Sequence, residues 1–301
     1  MSSKYIISVS AMLLLAVSSG CGDDDDSATT SGVGAGSGVG GAGGAGGQGG
    51  GGTGGAPPPP LTSSVSIAHL SPDAPPIDLC LSGGDDNYFG PVLKFAALTN
   101  SFAYRQILAP LDLAAGSTKY RIVRGDAIDC STPLAGSVDS ILETAPNEAY
   151  SFAIVGQNNP PDEAKAIRMI RLDDDRASTT DSVKLRFVHL SPDTPNLDFG
   201  TSAGGTFSPL FLDVAYGTAG VASGATYLEM PPLVDTTLTV RRNGSDTDTL
   251  VVPQVDVSGG AITTAFLIGK SDGTPEPLEL LLCKDNGPKL NYTFTVCSAF
   301  Q

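Results

Sequence analysis

The chain has 301 residues and a formal net charge of −15, from 17 basic and 32 acidic side chains. That balance disfavours a nucleic-acid backbone or an anionic lipid face as partner. With 37 Gly, 22 Pro and no Trp, the composition also argues against long helices.

Residues 1–20 read as an export signal. Lys4 supplies the positive start, Ile6 to Val17 the apolar run, and Ser18-Ser19-Gly20 the small residues before Cys21. The run is too short for a membrane-spanning helix, which needs roughly 20 residues. A cysteine directly after small residues resembles a bacterial lipobox, whose thiol is acylated and becomes the mature N-terminus. Ser18 departs from that pattern, which usually has Leu three positions before the cysteine. Ordinary cleavage leaving a free Cys21 is the alternative. Gly22 lacks the Asp that retains some lipoproteins at the inner membrane, which tilts the expectation toward the outer one.

Residues 21–60 read as a tether: Asp23 to Asp26 form a solvated charge run, and 31–56 are nearly all Gly, Ala and Ser. Such a segment is expected to behave as a flexible coil with a root-mean-square span of roughly 35 Å. Pro57 to Pro60 stiffen its end. The glycines are not a phosphate loop, because no strand precedes them and no helix follows.

Two related portions come next, 61–176 and 181–301, divided by the polar stretch "LDDDRASTTDS" at 172–182. "SIAHLSPDAPPIDLC" (66–80) returns as "RFVHLSPDTPNLDFG" (186–200), "YRIVRG" (120–125) as "LTVRRNG" (238–244), and "FAIVG" (152–156) as "AFLIG" (265–269). Each copy is roughly 115 residues, enough for an independent core. Short apolar or alternating runs at 65–70, 77–81, 119–123, 150–155 and 167–172 predict strands in the first copy. Runs at 183–190, 209–214, 226–230, 236–241, 249–252, 261–268 and 278–283 predict them in the second. No window carries a capped 3.6-residue stripe. The expectation is an all-β protein: two tandem immunoglobulin-like β-sandwich domains, each with about seven strands.

Beyond Cys21 there are four cysteines, an even number in an oxidising compartment. At the place of Cys80 the second copy has Gly200, and it has no thiol near the place of Cys130. It carries Cys283 and Cys297 near its own end instead. Cysteines present together in one copy and absent together from the other are expected to pair within it, giving Cys80–Cys130 and Cys283–Cys297. No C-x-x-C pair supports zinc.

The segments "VSIAHLSPDAPPIDLCLSG" and "KLRFVHLSPDTPNLDFG" resemble the opening of the domain of unknown function 4397 family. Its hallmark is a strand ending in His-x-Ser-Pro-Asp-x-Pro, followed by x-x-Asp. His69, Ser71, Pro72, Asp73, Pro75 and Asp78 match it, as do His189, Ser191, Pro192, Asp193, Pro195 and Asp198. The resemblance implies exported, often surface-attached, sandwich-like bacterial domains, and no reaction.

His69 and His189 are the only histidines. In strand alternation His69 shares a face with Val65 and Ile67, and His189 with Leu185 and Phe187. Each ring is therefore expected to close an apolar stripe and to need partners from the turn that follows: Ser71, Asp73 and Asp78, or Ser191, Asp193 and Asp198. On this reading the motif pins a turn. A hydrolase would use each His as general base oriented by Asp78 or Asp198, but no G-x-S-x-G nucleophile elbow occurs in the folded region. One histidine per copy argues against a transition-metal site. The carboxylates Asp173, Asp174 and Asp175 are weak calcium candidates at the junction. Tyr88, Phe89 and Phe95 form either core or an exposed patch.

The sequence thus leads to a non-catalytic lipoprotein of the bacterial envelope. It would be held to the bilayer by acylated Cys21 and present two β modules to an envelope polymer or protein partner, or serve a structural role. It would need no cofactor and bind no nucleic acid. The alternative is a calcium-dependent adhesive module rigidified at Asp173 to Asp175.

Overall fold

The computed structural model describes residues 61–83, 85–95, 102–177, 179–286, 295 and 297–301. Cys21, the signal segment and the tether lie outside them. The described chain is mostly β and nearly helix-free, and none of its helices is long and apolar enough to cross a membrane.

The first copy contributes β1 (Thr62–His69), β2 (Ile77–Ser82), a single helical turn α1 (Val92–Phe95), β3 (Ile107–Ala114), β4 (Gly116–Arg124), β5 (Ser140–Thr144), β6 (Ala149–Val155) and β7 (Arg168–Asp173). They form two sheets, in the orders β3-β1-β6-β7 and β2-β4-β5. The second copy contributes β8 (Val183–His189), β9 (Leu197–Ala203), β10 (Thr206–Val214), β11 (Thr218–Ala219), β12 (Leu228–Met230), β13 (Leu233–Arg242), β14 (Asp248–Val257), β15 (Ile262–Ile268), β16 (Glu279–Lys284) and β17 (Cys297–Phe300). Its sheets run β11-β8-β15-β16-β17, with β12 also on β8, and β10-β9-β13-β14.

In each copy the first strand lies inside its sheet and pairs in parallel with a late strand, β1 with β6 and β8 with β15. The second strand belongs to the opposite sheet. This corrects the immunoglobulin-like expectation, because that arrangement keeps the first two strands in one sheet. The cause is the motif itself. Prolines at 72, 75 and 76 turn the chain off the end of β1 and carry it across to the facing sheet before β2 begins.

Alternation places one face of each first strand between its own two sheets. Val65 and Ile67 pack with Ile77, Leu79, Ile122 and Phe152 in the first copy. Leu185 and Phe187 pack with Leu197, Phe199, Phe211 and Val240 in the second, where Phe187 and Phe199 stack at 4.5 Å. The other face is buried as well. Ala68, Leu70, Ala153, Val155 and Leu172 of the first copy meet Val188, Leu190, Phe266, Ile268 and Leu281 of the second in a third apolar layer. The two copies are therefore joined face to face through their β1 and β8 sheets. Independent cores exist, but they share a wall.

Candidate functional site

The β1–β6 and β8–β15 ladders run parallel, so His69 and His189 sit at strand ends beside Ile154 and Leu267. Both rings are fully buried. His69 Nε2 donates to the carbonyl of Pro75 at 3.3 Å, and His189 Nε2 to that of Pro195 at 3.1 Å. A carbonyl only accepts, so the proton is on Nε2 and Nδ1 is left as an acceptor. In the second copy that nitrogen receives the backbone N–H of Ser191 at 3.3 Å, and Nε2 also reaches Thr194 Oγ1 at 3.2 Å. In the first, Ala74 stands where Thr194 would be, and among the described residues His69 Nδ1 has no partner. Burial pushes both imidazoles down to about 4, although the Pro75 and Pro195 carbonyls work in the opposite direction. Both are neutral at pH 7.

The remaining motif residues tie the turn to backbone. Ser71 Oγ donates to the carbonyl of Gly156, just past β6, at 2.9 Å. Asp73 accepts the Asn158 N–H at 2.8 Å. Asp193 does the same on the loop after β15, taking the Ser271 N–H at 2.9 Å and its hydroxyl at 2.8 Å. Burial works to raise the Asp193 carboxyl, but these bonds outweigh it and hold it below its usual range. Ser191 differs from Ser71 in donating to Asp193, at 3.1 Å.

Asp78 and Asp198 do not orient the histidines. Asp78 accepts the N–H groups of Leu79, Leu93 and Lys94 at 2.6 to 2.9 Å, so it holds the start of α1. Burial raises its carboxyl despite those bonds. Asp198 accepts the Asp213 N–H at 2.8 Å and the Asn243 side-chain amide at 3.0 Å. The His–carboxylate pairs that a general base would need are not formed. The carboxylates instead anchor the next connection in the chain.

A second repeated element escaped the sequence reading. "FAYRQ" (102–106) and "VAYGT" (214–218) follow the motif in each copy and close over its histidine. Arg105 N donates to His69 O at 2.9 Å and Gly217 N to His189 O at 2.8 Å. Arg105 and Gly217 both have positive φ, +70° and +78°. Tyr104 and Tyr216 stand edge-on to their histidines at 6.5 and 6.0 Å. Burial raises both phenols.

At the junction, Asp173, Asp174 and Asp175 do not converge. Asp173 pairs with Arg171 in solvent at 3.0 Å and Asp175 with Lys184 at 2.6 Å. The Asp174 side chain is fully buried and holds Arg186 of the second copy at 2.9 Å and Arg176 at 3.0 Å. Arg186 is itself 1% exposed. It donates through Nε to Thr264 at 2.9 Å and through Nη1 to the Asp173 carbonyl at 3.0 Å, and lies over the Tyr227 ring at 4.6 Å. Among the described residues no three His, Cys, Asp or Glu side chains gather as metal ligands. The calcium candidates are instead ion-pair partners, because four cations of the chain claim their oxygens. A reciprocal pair crosses elsewhere, from Arg105 of the first copy to buried Glu279 of the second.

Cys80 is bonded to Cys130 and Cys283 to Cys297. The first bridge packs with Val123, Tyr88 and Ala127, and the second staples β17 to β16. Tyr88 is partly covered: its hydroxyl donates to Asp139 at 2.6 Å and Arg121 lies over its ring at 3.9 Å. Phe89 is 49% exposed. The Phe95 side chain lies outside the described residues. Arg124 and Asp126, the ends of an Arg-Gly-Asp tripeptide, pair with each other in solvent at 3.0 Å.

Residues 63–200 match the family model DUF4397, a domain of unknown function. The chain carries a DUF4397 domain. The match runs from β1 into β9, so the DUF4397 segment takes in both His-Leu-Ser-Pro-Asp motifs. No curated protein matches the sequence. Among solved structures, the chain is similar to CBMbc (family CBM26) from Eubacterium rectale Amy13K in complex with maltoheptaose. That likeness has 10% identity and a TM-score of 0.19, over 69% of this chain and 93% of that one. It is also similar to a fimbrial assembly protein from Parabacteroides distasonis, at 11% identity and a TM-score of 0.17, over 74% and 96%. At these scores neither likeness carries an argument about this chain.

Proposed function

We propose that this protein is a non-catalytic lipoprotein of the bacterial envelope. It presents its two β-sandwich copies, as one rigid body on an N-terminal leash, to an envelope polymer or protein partner, or in a structural role. The observation that carries the non-catalytic part is the use of the motif's polar groups. His69, Ser71, Asp73 and Asp78 each bond to backbone of their own copy, and none is paired as a nucleophile with a base. The anchoring part rests on Cys21 after Ser18-Ser19-Gly20 and on the Gly-rich stretch that follows. Acylation with more than one chain makes such attachment stable.

Metabolic fatty-acid labelling of the full chain and of Cys21→Ala tests the anchor. Label on the native protein that vanishes in the variant, with the variant unprocessed or released as soluble material, is the expected result. An unlabelled native protein overturns it. The non-catalytic reading is tested by turnover assays on esters, glycosides and peptides. Any activity lost in both His69→Asn and His189→Asn variants that stay folded contradicts it.

A further inference from the structure

We propose that the junction between the two copies is a proton-linked clasp: on mild acidification Asp285 takes up a proton and leaves the buried Arg186 guanidinium to Asp174 alone. The inference concerns the folded body and stands whether or not Cys21 is acylated.

The geometry sets up a competition. One guanidinium, 1% exposed, faces two carboxylates from opposite copies. Asp174 comes from the segment after β7 and meets Arg186 Nη2 at 2.9 Å, while Asp285, just past β16, stands 3.8 Å from the same nitrogen. Asp174 has a second cation in Arg176 and a hydroxyl from Ser151, both at 3.0 Å. Among the described residues Asp285 has no second cation. Its side chain is 7% exposed, and its other partners are neutral donors, the Tyr227 hydroxyl at 2.8 Å and the Thr264 hydroxyl at 2.7 Å. Among the described residues the charged and titratable groups facing it are therefore Arg186 from β8, Asp174 from the first copy and Tyr227 ahead of β12.

Of the two acids, the one with the longer contact to Arg186 and a like charge across it is the one to be neutralised. Burial raises its carboxyl to about 6 and Asp174 adds to that, against the pull of Arg186. Both hydroxyls use Oδ2, which leaves Oδ1 to carry the proton. A neutral Asp285 removes the repulsion across the guanidinium, and the Arg186–Asp174 pair that crosses between the copies is left balanced.

The test is urea unfolding of the full chain and of Asp285→Asn between pH 5 and 8. The amide stands in for the protonated acid, and both proteins keep the two histidines, so their titration cancels in the comparison. The ratio of unfolding equilibrium constants, native sequence over variant, is expected to rise about tenfold in all from pH 5 to 8, most of it below pH 6.5, and to level off above. A carboxyl raised to about 6 in the fold and near 4 when unfolded binds its extra proton only between those values. A flat ratio across the range overturns the proposal. Should the variant fail to fold, the side-chain carboxyl carbon resonance of Asp285 in the native protein decides. It should titrate near pH 6, and a resonance unchanged from pH 5 to 8 refutes the clasp.

Discussion

Acidification should weaken this fold through its two histidines. Each has a folded-state pKa of about 4 because burial excludes the charged ring, against about 6.5 in an unfolded chain. A group depressed in the folded state binds more protons when unfolded. Its stabilising contribution is therefore complete above pH 6.5 and is lost as pH falls from 6.5 toward 4. Between pH 7.5 and 5.5 the loss is about 1.4 kcal/mol per histidine, or about 3 kcal/mol for the pair. Asp285, whose carboxyl is raised to about 6, acts with the opposite sign and returns about 0.8 kcal/mol over the same interval. The histidines win, by about 2 kcal/mol. Urea denaturation at pH 7.5, 6.5 and 5.5 measures this directly. Replacing both histidines with Gln should remove most of the loss, since Gln cannot charge. If the native protein is equally stable at pH 7.5 and 5.5, or if the double variant keeps the full loss, the rings are not buried neutral groups.

Two glycines that end the parallel partners of the motif strands, and the two disulfides, are tested by stability as well. Gly156 and Gly269 end β6 and β15 with φ of +108° and +83°, and a Cβ on them would lie 2.3 Å from Ala166 O and 2.0 Å from Pro277 O. Alanine at either position should cost at least about 2 kcal/mol in thermal or urea unfolding, whereas Gly204→Ala, in open space, should lose only what its positive φ imposes. Opening the disulfides by Cys→Ser should cost more at Cys80–Cys130, which spans 50 residues, than at Cys283–Cys297, which spans 14. Loop-closure entropy gives about 4 and 3 kcal/mol, and non-reducing peptide mapping checks the pairing.

Much of the local structure was legible. Twelve predicted runs fall on strands, because alternation such as Val65-Ile67-His69 records a face pressed on a core. Strand β3, "ILAPLDLA", was missed because Pro110 interrupts it, and β17 because four residues leave little pattern. The partner of the histidine was legible only as a class, turn backbone or carboxylate. A backbone carbonyl six residues away has no sequence signature, so Pro75 and Pro195 could not be singled out. Sheet order was not legible, since it depends on which distant strands pair. The junction left a trace that was read too simply. "FAIV" and "AFLI" are unbroken apolar runs, the mark of strands buried on both faces. Arg186 among such residues is a cation without a water-facing side, and its partner Asp174 sat inside what looked like a solvated acidic linker.

The central claim is that the repeated motif builds two cores that then fuse into one body. Native-state hydrogen exchange of β6 and β15, the parallel partners of the two motif strands, tests it in a Phe266→Ala variant. Phe266 is 3% exposed and lies in the layer between the copies, and its truncation should cost about 3–5 kcal/mol. The account predicts that amides of Ala149–Val155 and Ile262–Ile268 lose protection by the same amount, because both open with the whole body. Loss confined to Ile262–Ile268, with Ala149–Val155 protected as before, would show two independent beads and contradict it.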